Sequence, residues 1–449
     1  MNPAKSGTTK LHLAAFASPR LAVVLMLAGV LAIFSGELTA QTASTPQHTT
    51  LHSFGGPDGA GPLYGVMADK TGALYGTTVL GGSASGTVFK LTPTKSGYLE
   101  TVLYNFLGGG DGYGPFSGLV ADKSGALYGV TSEGGNGSCI GGCGTVFKLT
   151  PKKSGYTKST IYSFGQIPDA SAPLGTLVID DNGSLYGVAQ YGGTQNEGAA
   201  FKLTPGKSGY NETVIYSFLD NGEDGYFPQA GMVMDRKGSL YGTTFYGGPG
   251  TCDGGCGTVF KLTPSGSGYD ESILYAFQDY TDGYLPFAAV TLDESTGAIY
   301  GTTWWGGATH DGNVFKLTPS GSGYDKSTIY SFSLGHQRYQ DGVLPRSQLL
   351  LLPDGALYGT DFIGGGGCAG IGCGSVFRLK PSGSGYSFEY VYNFRHPLNG
   401  VDPDFSGLIV DAKGALYGTT LSGGSKTDCY NGGSGGARGC GTVFKLVLK

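Results

Sequence analysis

Charge is scarce in this chain: 14% of its 449 residues are Asp, Glu, Lys or Arg, with a net charge of −5. Without residues 1–40, which hold three cations and one anion, the balance is −7. A weakly charged, mildly acidic surface argues against a nucleic-acid partner. No stretch beyond residue 40 keeps an apolar period of 3.6, so helices are not expected. Glycine supplies 84 residues without a Gly-X-Y period, which excludes collagen. Enzyme signatures carry no weight: the one Gly-x-Ser-x-Gly match, residues 432–436, sits in a run of glycines with no helix pattern after it, and there is no His-Glu-x-x-His and no Walker loop. The histidines past residue 40 (His48, His52, His310, His336 and His396) form no dyad. A glycan-cleaving hydrolase or lyase that uses only carboxylates stays open, since two acids about 5–10 Å apart suffice.

Long apolar runs are also few. Residues 21–34 form the one such run, short for a membrane span of about 20 residues. Lys5, Lys10 and Arg20 precede or open it and small residues end at Ala40, so residues 1–40 read as a secretory signal peptide cut after Ala40. The competing reading is a retained anchor. No Cys follows the run, so no lipidated N-terminus is expected, and no C-terminal anchor is expected either. The mature protein is then secreted, extracellular or periplasmic, with no span left in the membrane.

The eight cysteines fall in four close pairs: Cys139/Cys143, Cys252/Cys256, Cys368/Cys373 and Cys429/Cys440. Zinc would need two pairs together or a pair with histidines, and neither spacing is present. In an exported chain four local disulfides are the better reading. Each closes a short loop, so it removes little chain entropy and mostly pins the loop's shape.

What is present in quantity is glycine, 29 Tyr and 23 Phe, an all-β composition. These residues recur in order. Leu-Tyr-Gly, once as Ile-Tyr-Gly, returns at Tyr75, Tyr128, Tyr186, Tyr241, Tyr300, Tyr358 and Tyr417, at spacings of 53 to 59 residues. Phe-Lys or Phe-Arg follows each time, at Phe89, Phe147, Phe201, Phe260, Phe315, Phe377 and Phe444. A fixed period of this length marks a repeat architecture.

One unit, residues 117–164, contains four strands. Strand A covers residues 118–122, and a turn from Asp122 to Gly125 leads into strand B, residues 126–131. A Gly-rich loop with the cysteine pair follows, then strand C, residues 144–150, a turn, and strand D, residues 156–164. A lone meander cannot bury both faces, whereas seven arranged radially can. The fold class expected is therefore all-β: a seven-bladed β-propeller of four-stranded antiparallel blades over residues 41–449. The last unit lacks strand D, and the orphan Thr-Thr-Leu-His-Ser-Phe of residues 49–54 matches Ser-Thr-Ile-Tyr-Ser-Phe of residues 159–164. The N-terminal strand should thus complete the last blade from outside.

The phrases Leu-Tyr-Gly-Thr-Thr, Gly-Thr-Val-Phe-Lys-Leu-Thr-Pro and Ile-Tyr-Ser-Phe resemble the GloVer tandem repeat of secreted bacterial proteins, over essentially residues 48–447. The resemblance implies export and a repeat architecture. It implies no activity.

In a meander ring the B–C loops and D–A connections share one face, and varied loops on a rigid scaffold are where binding resides. Two features of that face are candidates. Asp58, Asp111, Asp169, Asp224, Asp282 and Asp341 each stand four residues before a proline. They are either a carboxylate ring for Ca²⁺ or a cationic or sugar ligand, or the turn chemistry of the crossover between blades. The second is a set of unevenly distributed aromatics, Tyr191, Phe245, Tyr246, Trp304 and Trp305 after strand B and Tyr113, Tyr226 and Tyr284 after the Asp-Gly turns. They suit a sugar chain, or they fill gaps between blades. No cofactor is expected beyond that Ca²⁺ option. The seven strand-C cations, from Lys90 to Lys445, are expected to be solvated or paired with acids such as Glu100, Glu212 and Glu271. The function expected is a monomeric binding or scaffold module for carbohydrate or a cell-envelope or protein partner. The glycan-cleaving enzyme and a purely structural surface protein are the alternatives.

Overall fold

The two recurring markers turn out to be one packing device. A Cβ on Gly76, the glycine of Leu-Tyr-Gly, would lie 2.6 Å from the ring of Phe89, so only glycine leaves room for the phenyl of the Phe-Lys marker. The same contact recurs in every repeat, through Gly418 beneath Phe444. Each ring is then met edge-on by the phenylalanine that ends strand D of the preceding repeat. The pairs are Phe54–Phe89, Phe106–Phe147, Phe164–Phe201, Phe218–Phe260, Phe277–Phe315, Phe332–Phe377 and Phe394–Phe444, with centroids 4.9–5.3 Å apart. All fourteen rings are buried. Seven such joints carry a ring of seven blades back to its start.

The computed structural model describes residues 46–448 except 267, 334–342, 367, 369–371, 396, 427–428 and 430–438. The expected signal segment and Asp341 lie outside the described residues. The described chain is all-β apart from short 3₁₀ turns, and its strands form seven antiparallel blades in sequential order. Blade 2 is typical, with strands A to D at Val120–Ala121, Leu127–Thr131, Thr145–Pro151 and Tyr156–Ser163. Blade 7 has the order Gln47–Ser53, Thr442–Val447, Leu416–Thr420, Ile409–Val410, so its outer strand comes from the other end of the chain. Gln47 stands opposite Val447 and Ser53 opposite Thr442. No helix among the described residues is long and apolar enough to cross a membrane.

Strand A varies between blades: in blade 2 two residues make ladder pairs, not the five expected, whereas in blade 3 the strand runs Ala170–Ile179. The inner strands approach closely at the axis, where a Cβ on Gly65 would fall 2.1 Å from the carbonyl oxygen of Gly407 in the neighbouring blade.

The strand-C cations do not meet strand-D acids as expected. Lys90 stands opposite Thr101, and its ammonium lies 5.2 Å from the ring centre of Tyr75 on strand B. Lys148, Lys202, Lys261, Lys316 and Lys445 repeat this cation–π contact at 5.1–5.5 Å. The tyrosine is held in turn by the A–B turn: the Tyr128 hydroxyl donates to Asp122 at 2.9 Å, and Tyr75, Tyr186, Tyr241 and Tyr417 do the same with Asp69, Asp180, Asp235 and Asp411. Arg378 alone among these cations pairs with a strand-D acid, Glu389.

Candidate functional site

D–A connections and B–C loops meet on one face by short antiparallel pairing. Tyr284 and Trp305 exchange backbone bonds of 2.9 and 3.0 Å, and Tyr113 and Glu133 bonds of 3.0 and 3.2 Å. Gly225–Tyr226 pairs with Tyr246–Gly247 as a small extra ladder. Four B–C loops are closed by disulfides at the expected pairs, Cys139–Cys143, Cys252–Cys256, Cys368–Cys373 and Cys429–Cys440. This pairing sets aromatics from separate segments side by side.

The result is a continuous aromatic band. Tyr191 touches Phe227, which touches Tyr226 and Tyr246; Phe245 packs on Tyr246, Phe287 and Trp304; Trp304 packs on Trp305. Phe287 meets Phe405, and Phe405 stacks on Tyr64 at the central channel. Of the residues picked out from sequence, Tyr191, Tyr226, Tyr246, Phe245, Trp304 and Trp305 fall in this band. Tyr284 stands beside it, against Tyr280. Tyr113 is paired with Glu133 in blade 2 and has no ring contact to the band. Phe245 and Tyr226 are 7% and 9% exposed and act as filling, whereas Tyr191 and Trp305 are 38% and 39% exposed.

Sequence reasoning missed Tyr64, Phe227, Phe287, Arg346 and Phe405. Four of these lie in the D–A connection just before strand A, where the blades carry Leu63, Phe116, Leu174, Gln229, Phe287, Arg346 and Phe405 in the position after the crossover proline or its equivalent. Unevenness in that column was a readable signal. These side chains overhang a cavity of about 270 Å³ at the channel, lined by Tyr64, Gln229, Phe287, Arg346 and Phe405 above the small inner-strand residues. The guanidinium of Arg346 lies 4.3 Å from Trp304 and 4.5 Å from Phe362 and donates to both carboxylate oxygens of Asp404 at 3.1 and 3.2 Å. Burial pushes the Asp404 carboxyl up to about 7; Arg346 pulls it down and Asp402 adds to the rise.

The five described repeated aspartates, Asp58, Asp111, Asp169, Asp224 and Asp282, do not line the channel cavity. Each caps its own crossover: Asp224 accepts from the Tyr216 hydroxyl at 2.8 Å and from the N–H groups of Leu219 and Gly225. Asp111, Asp169 and Asp282 make the same kind of bonds to Tyr104, Tyr162 and Tyr275. Strand D of the following blade supplies a second group to each. In blades 2 and 5 it is Lys158 or Lys326, 2.6 and 2.7 Å from Asp111 and Asp282. In blades 3 and 4 it is Glu212 or Glu271, each pushed up to about 7 by burial and the neighbouring Asp169 or Asp224. Asp169 and Glu212 line an open pocket at the blade 2–3 junction. At Asp58 the partners are His52 at 3.1 Å and Lys426 at 2.9 Å. Although burial opposes it, bonds from His52, the Gly55 N–H and Lys426 hold Asp58 well below the usual carboxylate range. Among the described residues one set of three metal-competent groups, His52, Asp58 and Glu100, brings its ligand atoms within 4.8 Å. The Lys426 ammonium already supplies the positive charge there.

Fold and loops together define a seven-bladed β-propeller whose variable segments gather on one face. The chain belongs to the Gloeobacter/Verrucomicrobia repeat family, whose model matches residues 32–254 and 235–433. No curated protein matches it in sequence. Among solved structures it is similar to an ancestral GH74 enzyme, at 12% identity and a TM-score of 0.51, over 87% of this chain and 48% of that one. It is also similar to a putative oxidoreductase (glucose dehydrogenase) from Thermus thermophilus, at 16% identity and a TM-score of 0.42, over 74% of this chain and 96% of that one. A third, a protein from Lactobacillus plantarum, shows 11% identity and a TM-score of 0.46, over 75% and 85%. At these identities the likeness is one of fold.

Proposed function

We propose that this protein is an exported binding module that holds a carbohydrate chain on the face bearing the B–C loops and D–A connections. The observation that carries the reading is the aromatic band from Tyr191 to Tyr64, with Tyr191 and Trp305 exposed at its rim and a cavity at its inner end. Flat apolar faces with polar groups between them match the two-sided chemistry of a sugar ring. The repeat requires none of these rings: at the two positions after Gly-Thr-Thr, blades 1 and 7 carry Val79-Leu80 and Leu421-Ser422 instead. Four disulfides fit an oxidising destination. The test is a glycan array on the purified protein beside Trp305→Ala and Tyr191→Ala. Binding should fall by about tenfold or more in each, since such anchors contribute on the order of 1–2 kcal/mol. Undiminished binding in both variants would remove the site.

A hydrolytic reading has one observation in its favour, the Asp169–Glu212 pair in its open pocket, where one acid is held near neutrality. The same pair recurs as Asp224–Glu271, and Lys158 or Lys326 takes the Glu position in two other blades, which suits a scaffold slot better. Release of reducing ends by the wild type but not by Glu212→Gln would establish the hydrolytic reading instead.

A further inference from the structure

The cavity at the channel contains one charged side chain. Among its lining residues Arg346 alone is ionised; the rest are aromatic, aliphatic, glycine or neutral polar groups such as Gln229, Thr176 and Gln348. The repeat does not demand an arginine there, because the other blades carry Leu63, Phe116, Leu174, Gln229, Phe287 and Phe405 at that position. The guanidinium is held close to the rings of Trp304 and Phe362 and offers Nη1 to Asp404, while its Nε is buried without a partner. The indole Nε1 of Trp304, the ring on which Arg346 lies, is likewise buried without a partner. Two adjoining buried N–H donors that lack acceptors are unusual in a folded protein, and Arg346, though not Trp304, lines the cavity where an outside acceptor would meet it.

We propose that the channel mouth takes a carboxylate carried on a ring, the uronate unit of an acidic glycan, with the carboxylate on Arg346 and the ring against the contiguous surface of Tyr64, Phe287 and Phe405. This rests on the carbohydrate reading and specifies the sugar at its inner end. A planar guanidinium fork matches a carboxylate in geometry. A lone arginine already shared with Asp404 suits a monoanion better than a phosphate or sulfate ester, which would draw on more cationic groups. The cavity, at about 270 Å³, lies at the small end of ligand sites and suits one ring rather than a chain. The remainder of the glycan then runs outward along the aromatic band.

Asp404 competes with the ligand for Arg346. It faces Arg346, Asp402 and Tyr64, and burial already raises its carboxyl, so a bound uronate favours its protonation. Affinity for the acidic ligand therefore rises from pH 8 to pH 6, and binding takes up a proton.

Calorimetry with tri-galacturonate, the matching neutral trisaccharide and cyclohexanecarboxylate tests this. The acidic trisaccharide should bind at least about tenfold tighter than the neutral one, the scale of a charge-assisted bond in a shielded site. Arg346→Gln should abolish that preference. Gln229→Glu, isosteric and away from the Arg346 stack, should abolish it too, which keeps the test sound if the first variant misfolds. Equal binding of both trisaccharides, or a preference that survives in both variants, would overturn the proposal while leaving the carbohydrate reading intact. Arg346-dependent binding of cyclohexanecarboxylate with no saccharide binding would uphold the anion pocket and end the carbohydrate reading.

Discussion

Asp361 shows what one departure from the repeat does. At the end of strand B most blades place a threonine that meets a strand-C hydroxyl, as Thr78 meets Thr87, Thr131 meets Thr145 and Thr244 meets Thr258, each at 2.8 Å. Blade 6 puts Asp361 there, fully buried; one oxygen accepts from the Ser375 hydroxyl and the other has no partner. Burial pushes its carboxyl up to about 7, against bonds from Ser375 that lower it. Because the folded value lies above the unfolded one, its contribution to stability is complete below about pH 4 and is lost as pH rises through 7. Asp361→Thr should therefore stabilise the protein by about 1–3 kcal/mol at pH 8, the cost of a buried group left unsatisfied, and by less at pH 5. Denaturant unfolding of both proteins at the two pH values checks this, and an equal gain at both would show that ionisation of Asp361 is not the cause.

At the scale of strands, the glycine–phenyl contact between B and C and the phenyl–phenyl joint between blades depend on each other. A Cβ on Gly242 would lie 2.5 Å from Phe260, whose ring is fixed by Phe218 of the preceding blade at 5.1 Å. Gly242→Ala should cost about 1–3 kcal/mol, as overpacking in a tight core does. Gly242→Ala with Phe260→Leu should cost less than the sum of the two single changes, a coupling that a double-mutant cycle measures directly. These strands were legible because their markers are spaced by the ladder itself: Gly242 stands directly opposite Phe260. Strand A was legible only in outline, because its ladder varies from two residues in blade 2 to ten in blade 3 while the sequence phrase stays the same length. The cation–π contact of Lys90 on Tyr75 was hidden, because strand spacing gives a residue's side of the sheet but not where a flexible chain folds along it. The candidate site was half legible. The residues after Gly-Thr-Thr stood out as aromatic pairs, whereas Phe287, Arg346 and Phe405 join them through a turn whose pairing no linear spacing reveals.

For the whole molecule the sector that matters is blade 7, where the first described strand and the last share a ladder. His48 lies in this latch, its imidazole stacked on Tyr392 of blade 6 at 4.6 Å and 10°. Phe388 occupies the same strand-D position in blade 6 and stacks on Tyr330 at 4.3 Å and 8°, so the repeat itself shows that a phenyl fits. Burial lowers the His48 imidazole to about 4, and its Nε2 has no partner. A folded value below the unfolded one means stability that is complete above about pH 6.5 and lost as pH falls towards 4. The raised acids Glu212, Glu271, Asp361 and Asp404 work in the opposite sense over neighbouring pH, so the wild-type profile alone would not isolate the latch. The difference between His48→Phe and wild type does. The variant should melt close to wild type at pH 7.5 and be more stable by on the order of 1 kcal/mol at pH 5, with slower amide exchange along Gln47–Ser53. Removal of residues 46–54 should lower the melting temperature at both pH values, because it frees the edge of Thr442–Val447 and takes Phe54 from the joint with Phe89. If the truncated protein melts as the full chain does, the ring does not depend on this strand, and the acid sensitivity assigned to His48 loses its structural basis.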